Sequence, residues 1–184
     1  MNAGIVASRY AKALLKYAME TGNGDKVYSQ ACVIVQRMKE YPQLREYIED
    51  HPEIDVVKKI QLLETAAGEP LAAEIGSFLE LVTRRRRCGY MYRMLHSFIG
   101  QYREAANLKV GSLVTALPAE ELRTRLEAAF AEKTGAEVHL ESEVDPSIVG
   151  GFVFRMDDWR LDASVDAQLR KIREALVQDD SRLV

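Results

Sequence analysis

The sequence predicts a mainly α protein, with an N-terminal six-helix bundle over residues 1–107 followed by a small α+β domain over 108–184. Three observations carry this. Apolar residues recur with a helical 3.6-residue period up to Asn107, and the period drops to two in several segments beyond it. Turn-forming sequences built on glycine or proline separate the periodic segments. Charge shifts at the same place: residues 1–107 hold 15 Lys+Arg against 13 Asp+Glu, net +2, and residues 108–184 hold 10 against 15, net −5. A chain of 184 residues is long enough to build one large core or two small ones.

In the first helix Val6, Tyr10, Ala13, Leu14 and Tyr17 fall on one face, and Gly22-Asn23-Gly24 ends it. Asp25 is the expected N-cap of the second, which carries Tyr28, Ala31, Cys32, Val35 and Met38 and stops at Tyr41-Pro42. A short third helix presents Leu44, Tyr47 and Ile48 and breaks at His51-Pro52. The fourth, from about Asp55 to Ala67, turns Val56, Val57, Ile60 and Leu63 inward, and Gly68 closes it. Pro70 suits the first turn of a fifth helix that buries Leu71, Ile75, Phe78, Leu79 and Val82. The sixth buries Met91, Met94, Leu95, Phe98 and Tyr102.

Beyond Asn107, Leu108 to Thr115 alternate as a strand, and Pro118 opens a helix with Leu122, Leu126 and Phe130 inward. Val138 to Val144 form a second strand and Phe152 to Met156 a third, which turns at Asp157-Asp158 into Trp159-Arg160-Leu161. Ser164 caps a last helix with Val165, Leu169, Ile172 and Leu176 on its inner face, and residues 178–184 read as frayed and solvated.

Composition excludes several function classes. A net charge of −3 argues against a broadly basic, phosphate-seeking protein, and two cysteines do not make a disulfide scaffold. Uncharged apolar stretches such as Ser147 to Phe154 fall far short of the roughly 20 residues that span a bilayer. The N-terminus shows no basic region ahead of an apolar core, so no signal peptide is expected. His51, His96 and His139 lie in different elements with no second ligand at helical spacing, so neither a metal nor a cofactor is expected. Cys32 reads as a packed thiol, and Cys88 has no His or acid placed beside it despite the arginines before it. Gly150-Gly151 precedes a strand, whereas phosphate-cradling loops follow one, so it reads as a tight turn. No catalytic constellation emerges.

Two features remain. Arg84-Arg85-Arg86-Arg87 is either an anion patch, for nucleic acid or another anionic partner, or a solvated helix end whose cations offset the helix dipole. The first helix carries Ala3, Ala7, Ala11 and Ala18 on a second face, leaving only the Arg9, Lys12, Lys16, Glu20 stripe clearly polar. So narrow a polar face belongs to a helix sandwiched on two sides. Periodicity alone leaves open whether one side packs within the chain or receives a partner helix.

Two stretches carry a resemblance. Ala7-Ser8-Arg9-Tyr10-Ala11-Lys12-Ala13-Leu14 resembles the opening of the delta-subunit family of bacterial F-type ATP synthases, which includes the mitochondrial oligomycin-sensitivity-conferring protein. Val144-Asp145-Pro146-Ser147-Ile148-Val149-Gly150-Gly151-Phe152-Val153-Phe154, with Leu161-Asp162-Ala163-Ser164-Val165 after the turn, is similar to that family's C-terminal signature. The likeness covers essentially the whole chain. It marks Gly150, Gly151, Asp162 and Ser164 as structural motif positions.

The resemblance implies a non-catalytic stator subunit of a proton-translocating enzyme, present in single copy, that joins the catalytic head to the peripheral stalk. It implies two partners: the N-terminal helix of an alpha subunit, held between helices one and five, and the C-terminal ends of the b subunits, held by the C-terminal domain. It implies no nucleic acid and no direct membrane insertion, with the chain held peripherally at the cytoplasmic face of the bacterial inner membrane. Carried onto this sequence, the groove would be lined by Val6, Tyr10, Ala13 and Tyr17 and by Ile75, Phe78, Leu81 and Val82. Leu81 lies off the inward stripe of its helix, where a leucine has no reason to be unless something covers it. Three positions depart from the family pattern: Arg86, Asp158 and Ala163 each stand where glycine is frequent, and the arginine run offers an added contact to an acidic partner.

Overall fold

The computed structural model describes residues 3–51, 54–156 and 159–180, with side chains through residue 173. The chain divides into two compact units, Met1–Ala106 and Asn107–Val184. The protein is mainly helical, with one small sheet in the second unit.

The first unit contains α1 (Ala3–Glu20), α2 (Gly24–Glu40), α3 (Pro42–Glu49), α4 (Val56–Ala67), α5 (Ala73–Arg84) and α6 (Met91–Ala105), with a 3-10 turn at Cys88–Tyr90. Gly22 and Gly68 adopt left-handed backbone at the ends of α1 and α4, a conformation glycine enters without a Cβ penalty. Pro42 opens α3, where its missing N–H costs nothing. A single core gathers Ala11, Leu14, Val27, Ile34, Met38, Ile48, Leu63, Ile75, Val82, Met94 and Phe98.

Several helix faces differ from expectation, each for a physical reason. The cap of α2 is Asn23, not Asp25, whose carboxylate instead accepts the Tyr102 hydroxyl. The buried face of α2 centres on Val27, Ala31, Ile34 and Met38, with Tyr28, Cys32 and Val35 at its flank. Tyr28 belongs there because its ring stacks on Tyr102 at 4.7 Å while its hydroxyl accepts from Arg103 Nε at 2.9 Å. Tyr47 and Val57 are exposed, not inward. In place of Val57, α4 buries Lys59, whose Nζ donates to the Ile48 carbonyl at 2.9 Å, so the ammonium meets the electron-rich end of α3. Pro70 and Leu71 precede α5, which starts at Ala73. Buried Gln30 holds this link: Oε1 accepts from Ala72 N at 2.7 Å, and Nε2 donates to the Pro70 carbonyl and Glu69 Oε1. The expected break at Pro52 lies outside the described residues.

The second unit contains β1 (Leu108–Thr115), α7 (Glu120–Thr134), β2 (Glu137–Val144), a 3-10 turn at Pro146–Ile148, β3 (Phe152–Met156), β4 (Trp159–Asp162) and α8 (Val165–Asp180). The sheet order is β2-β1-β3-β4. β1 and β2 are parallel, joined through α7, and β3 and β4 add antiparallel. Leu113 pairs with Phe154, which sets Leu113, Val138, Leu140, Phe154 and Met156 on one face under Leu122, Leu126 and Phe130 of α7. Phe130 stacks on Phe154 with ring centroids 4.4 Å apart. Gly111 is required at its place, because a Cβ there would lie 2.6 Å from the Arg155 carbonyl oxygen.

The last helix departs most. Leu169 and Ile172, expected inward, are 56% and 57% exposed, and Ala167 is buried in their stead. Helix α8 continues through residues 178–180 instead of fraying there. The expected inward Leu176 side chain, the Asp157-Asp158 turn and residues 181–184 lie outside the described residues.

Candidate partner-binding seam

Helix α1 carries two apolar faces, and they meet different fates. The alanine face is used inside the chain: Ala7, Ala11 and Ala18 are buried, and α1 packs along α6. Small side chains let two helix backbones approach closely, which makes α1 an internal strut on that side. The larger-residue face is not consumed in the same way. Tyr10 is half-buried, Ala13 is exposed and Tyr17 is 41% exposed.

Helix α5 lies beside this second face. Tyr10 and Phe78 meet edge-to-face, with ring centroids 6.4 Å apart and planes at 71°. Val6, Ile75, Phe78 and Val82 are buried in the unit's own core, so they support the seam from below. Leu81 is 42% exposed and stands on its rim. The eight residues therefore sort into a buried base, Tyr10 at the junction, and an exposed apolar edge made of Ala13, Tyr17 and Leu81.

Charged groups flank the seam. Asn23, just beyond α1, donates from Nδ2 to Glu74 Oε1 at 2.8 Å. Glu74 is buried in the first turn of α5, and the Asn23 amide, followed by the nearby Thr21 hydroxyl and the backbone N–H of Glu74 itself, holds its carboxyl below the usual range. At the other end of α5, Arg84, Arg85 and Arg86 are exposed, with Arg86 in left-handed backbone at φ 51°. Arg87 turns back, and one guanidinium nitrogen donates to the Tyr10 hydroxyl at 3.1 Å. Periodicity misses Gln30, Glu74 and the Arg87–Tyr10 pair, because each joins segments distant in sequence. The repeat of Ala7, Ala11 and Ala18 is the one sign of the α6 contact that the sequence displays.

In the second unit the motif residues form one clamp. Asp162 Oδ1 accepts from both Ser164 N and Ser164 Oγ, and Ser164 Oγ accepts from Ala167 N, capping α8. These hydrogen bonds, the hydroxyl first, hold the Asp162 carboxyl below its ordinary value. The Gly150 carbonyl accepts from Val165 N at 3.0 Å. Gly151 has φ 75°, and a Cβ on it would lie 2.2 Å from the Ala163 carbonyl oxygen, so both backbone angle and space demand glycine. Beside this clamp Trp159 and Leu161 on β4 and Leu169 and Ile172 on α8 stand exposed.

Among the described residues no group of three His, Cys, Asp or Glu is placed to hold a metal ion, and no helix is long and apolar enough to cross a membrane. Cys88 is buried with its sulfur 3.4 Å from the Thr83 hydroxyl, and Cys32 is half-buried.

A family model for the ATP synthase delta (OSCP) subunit matches residues 6–176. Over the whole of both chains the sequence is 37% identical to the ATP synthase subunit delta of Phocaeicola vulgatus and 36% identical to that of Bacteroides thetaiotaomicron. It is 32% identical to the subunit delta of Lactobacillus johnsonii over 95% of this chain and 96% of that one. Among solved structures, a chain of the Toxoplasma gondii mitochondrial ATP synthase hexamer shares the fold with a TM-score of 0.59. That match covers 93% of this chain and 97% of the other at 22% identity.

Proposed function

The chain belongs to the ATP synthase delta (OSCP) subunit family, a structural and non-catalytic component of the peripheral stalk, and from that premise we propose that it is the stator link of a proton-translocating F-type ATP synthase. In this reading α1 to α6 act as a six-helix bundle that holds the N-terminal helix of an alpha subunit. Residues 108–184 bind the C-terminal ends of the b subunits. One copy serves each complex and resists rotation of the head. The chain sits at the cytoplasmic face of the inner membrane through these partners, without entering the bilayer.

The carrying observation is the division of labour on α1. Its alanine face is buried within the unit, while Ala13, Tyr17 and Leu81 leave an apolar edge exposed beside α5. An amphipathic helix laid on that edge would bury the two large side chains and rest on Tyr10 and Phe78. Burial contributes about 25 cal/mol per Å² of apolar surface, so each anchor is worth on the order of 1–2 kcal/mol. Titrating the full chain with a synthetic peptide of the alpha-subunit N-terminal helix tests this. Binding at micromolar peptide is expected, weakened about tenfold by Leu81→Ala, whose stability changes by less than about 1 kcal/mol. Absence of binding to a folded chain overturns the groove.

A further inference from the structure

The α1–α5 seam has a direction. Tyr10, near the start of α1, meets Phe78 and Arg87, whereas Asn23, just past the end of α1, meets Glu74 at the start of α5, so the two helices run antiparallel. Along α5 the residues Glu74, Phe78, Leu81 and Arg85 are spaced by four, three and four, which keeps them on one face. The amide of Arg85 still bonds the Leu81 carbonyl at 3.1 Å, so this row continues in register past the last helical residue. Along α1, Tyr10, Ala13, Tyr17 and Glu20 are spaced by three, four and three, which also keeps them on one face. The exposed apolar strip thus ends in Glu20 at one side, where Glu74 is buried, and in Arg84 to Arg86 at the other.

The charges at the two ends are not spent on each other. Glu74 is held by the neutral Asn23 amide, Arg87 by the neutral Tyr10 hydroxyl, and Glu20 by Lys16 at 3.6 Å on the solvent side. Arg84, Arg85 and Arg86 are exposed. The offset of α5's own dipole explains one cation in its last turn, but not three more in and beyond it. An apolar contact alone does not fix which way a helix lies, and opposite charges at the two ends do.

We propose that the seam selects an amphipathic helix of one polarity, with acidic residues over exposed Arg84–Arg86 and basic residues over exposed Glu20. The row from Glu74 to Arg85 spans roughly 16 Å at 1.5 Å per residue, so the matching segment is about three helical turns long with apolar residues at i, i+3 or i+4, and i+7. This rests on the reading of the seam as a docking groove, and it adds the charge pattern of the occupant.

The test uses the full chain and two synthetic helical peptides with the same apolar face. One carries glutamates at one end and lysines at the other; its neutral counterpart carries glutamine at all those places. The charged peptide is expected to bind about tenfold tighter at low salt, the advantage fading as salt rises. Arg84→Gln/Arg85→Gln/Arg86→Gln removes most of that advantage, while Leu81→Ala weakens both peptides alike. A photo-crosslinker on the glutamate end is expected to mark residues 81–90. Equal binding of the two peptides, or crosslinks near residues 17–24, overturns the polarity and leaves the groove standing. If neither peptide binds, or Leu81→Ala changes neither, the groove reading falls and the polarity falls with it.

Discussion

The two units solve burial differently. The first gathers one large core from its helices, among which Lys59 and Gln30 are also buried and hydrogen-bonded, while buried Glu74 leaves Oε2 without a hydrogen bond. The second has five buried core residues on one sheet face, roofed by α7, in which no residue is fully buried. Its β4 edge and α8 leave Trp159, Leu161, Leu169 and Ile172 in the open. One unit therefore owes its stability to a dense interior. The other depends on a small core and on the glycine clamp that fixes the start of α8.

The sharpest way to separate them is Gly151→Val. The left-handed backbone and the 2.2 Å approach to the Ala163 carbonyl leave no place for a side chain. The loss expected for the second unit is about 4 kcal/mol or more, read as collapse of NMR dispersion for residues 108–173 with residues 3–106 unchanged. A counterpart in the first unit is Ala11→Leu, which overfills the core around fully buried Ala11 and costs about 1–3 kcal/mol in thermal unfolding. If that variant is neutral, the close packing of α1 is not what holds the first unit together.

A smaller effect concerns pH. Asp162 has a folded pKa below its unfolded one, because the Ser164 hydroxyl and amide favour the carboxylate. Its contribution is therefore complete above the unfolded value and is lost as pH falls through the folded one. Melting of the second unit followed from pH 6 down to about 2 should show this loss, and Asp162→Asn should flatten it. The smallest expected change is Leu169→Ser/Ile172→Ser, within about 0.5 kcal/mol of the parent, since neither side chain is buried. A loss above about 1 kcal/mol would mean that this face is covered in solution, and the contrast between the units would narrow.

Element existence is largely legible in the sequence, and so is phase in α5 and α6. There Ile75, Phe78, Leu79 and Val82 and Met91, Met94, Leu95, Phe98 and Tyr102 are buried as expected. In α1, α2 and α8 phase is less so. The expected face of α1 (Val6, Tyr10, Ala13, Leu14, Tyr17) is buried at Val6 and Leu14 only, and the burial continues through the small residues Ala7, Ala11 and Ala18, not through Ala13 and Tyr17. In α2 the expected face takes Tyr28 over Val27, although a tyrosine at a flank can bury its ring and keep its hydroxyl paired. Lys59 is unreadable because its acceptor belongs to another helix. The apolar residues of α8 predict an inner face, but periodicity shows that a face is apolar without showing what lies against it. Leu81 is legible for the opposite reason: a leucine off the apolar stripe of its own helix stands out by position alone. The motif glycines are legible by resemblance, and only the geometry explains why no other residue fits at Gly151.

Gln30 has one further consequence. The amide of Ala72 sits in a connecting segment, where backbone hydrogens commonly exchange with solvent within local fluctuations. Here that hydrogen is held at 2.7 Å by a side chain from the middle of α2, buried and 42 residues away in sequence. It can be released only when α2 and the α4–α5 connection part, so its exchange should keep time with the first unit's core and not with its loops.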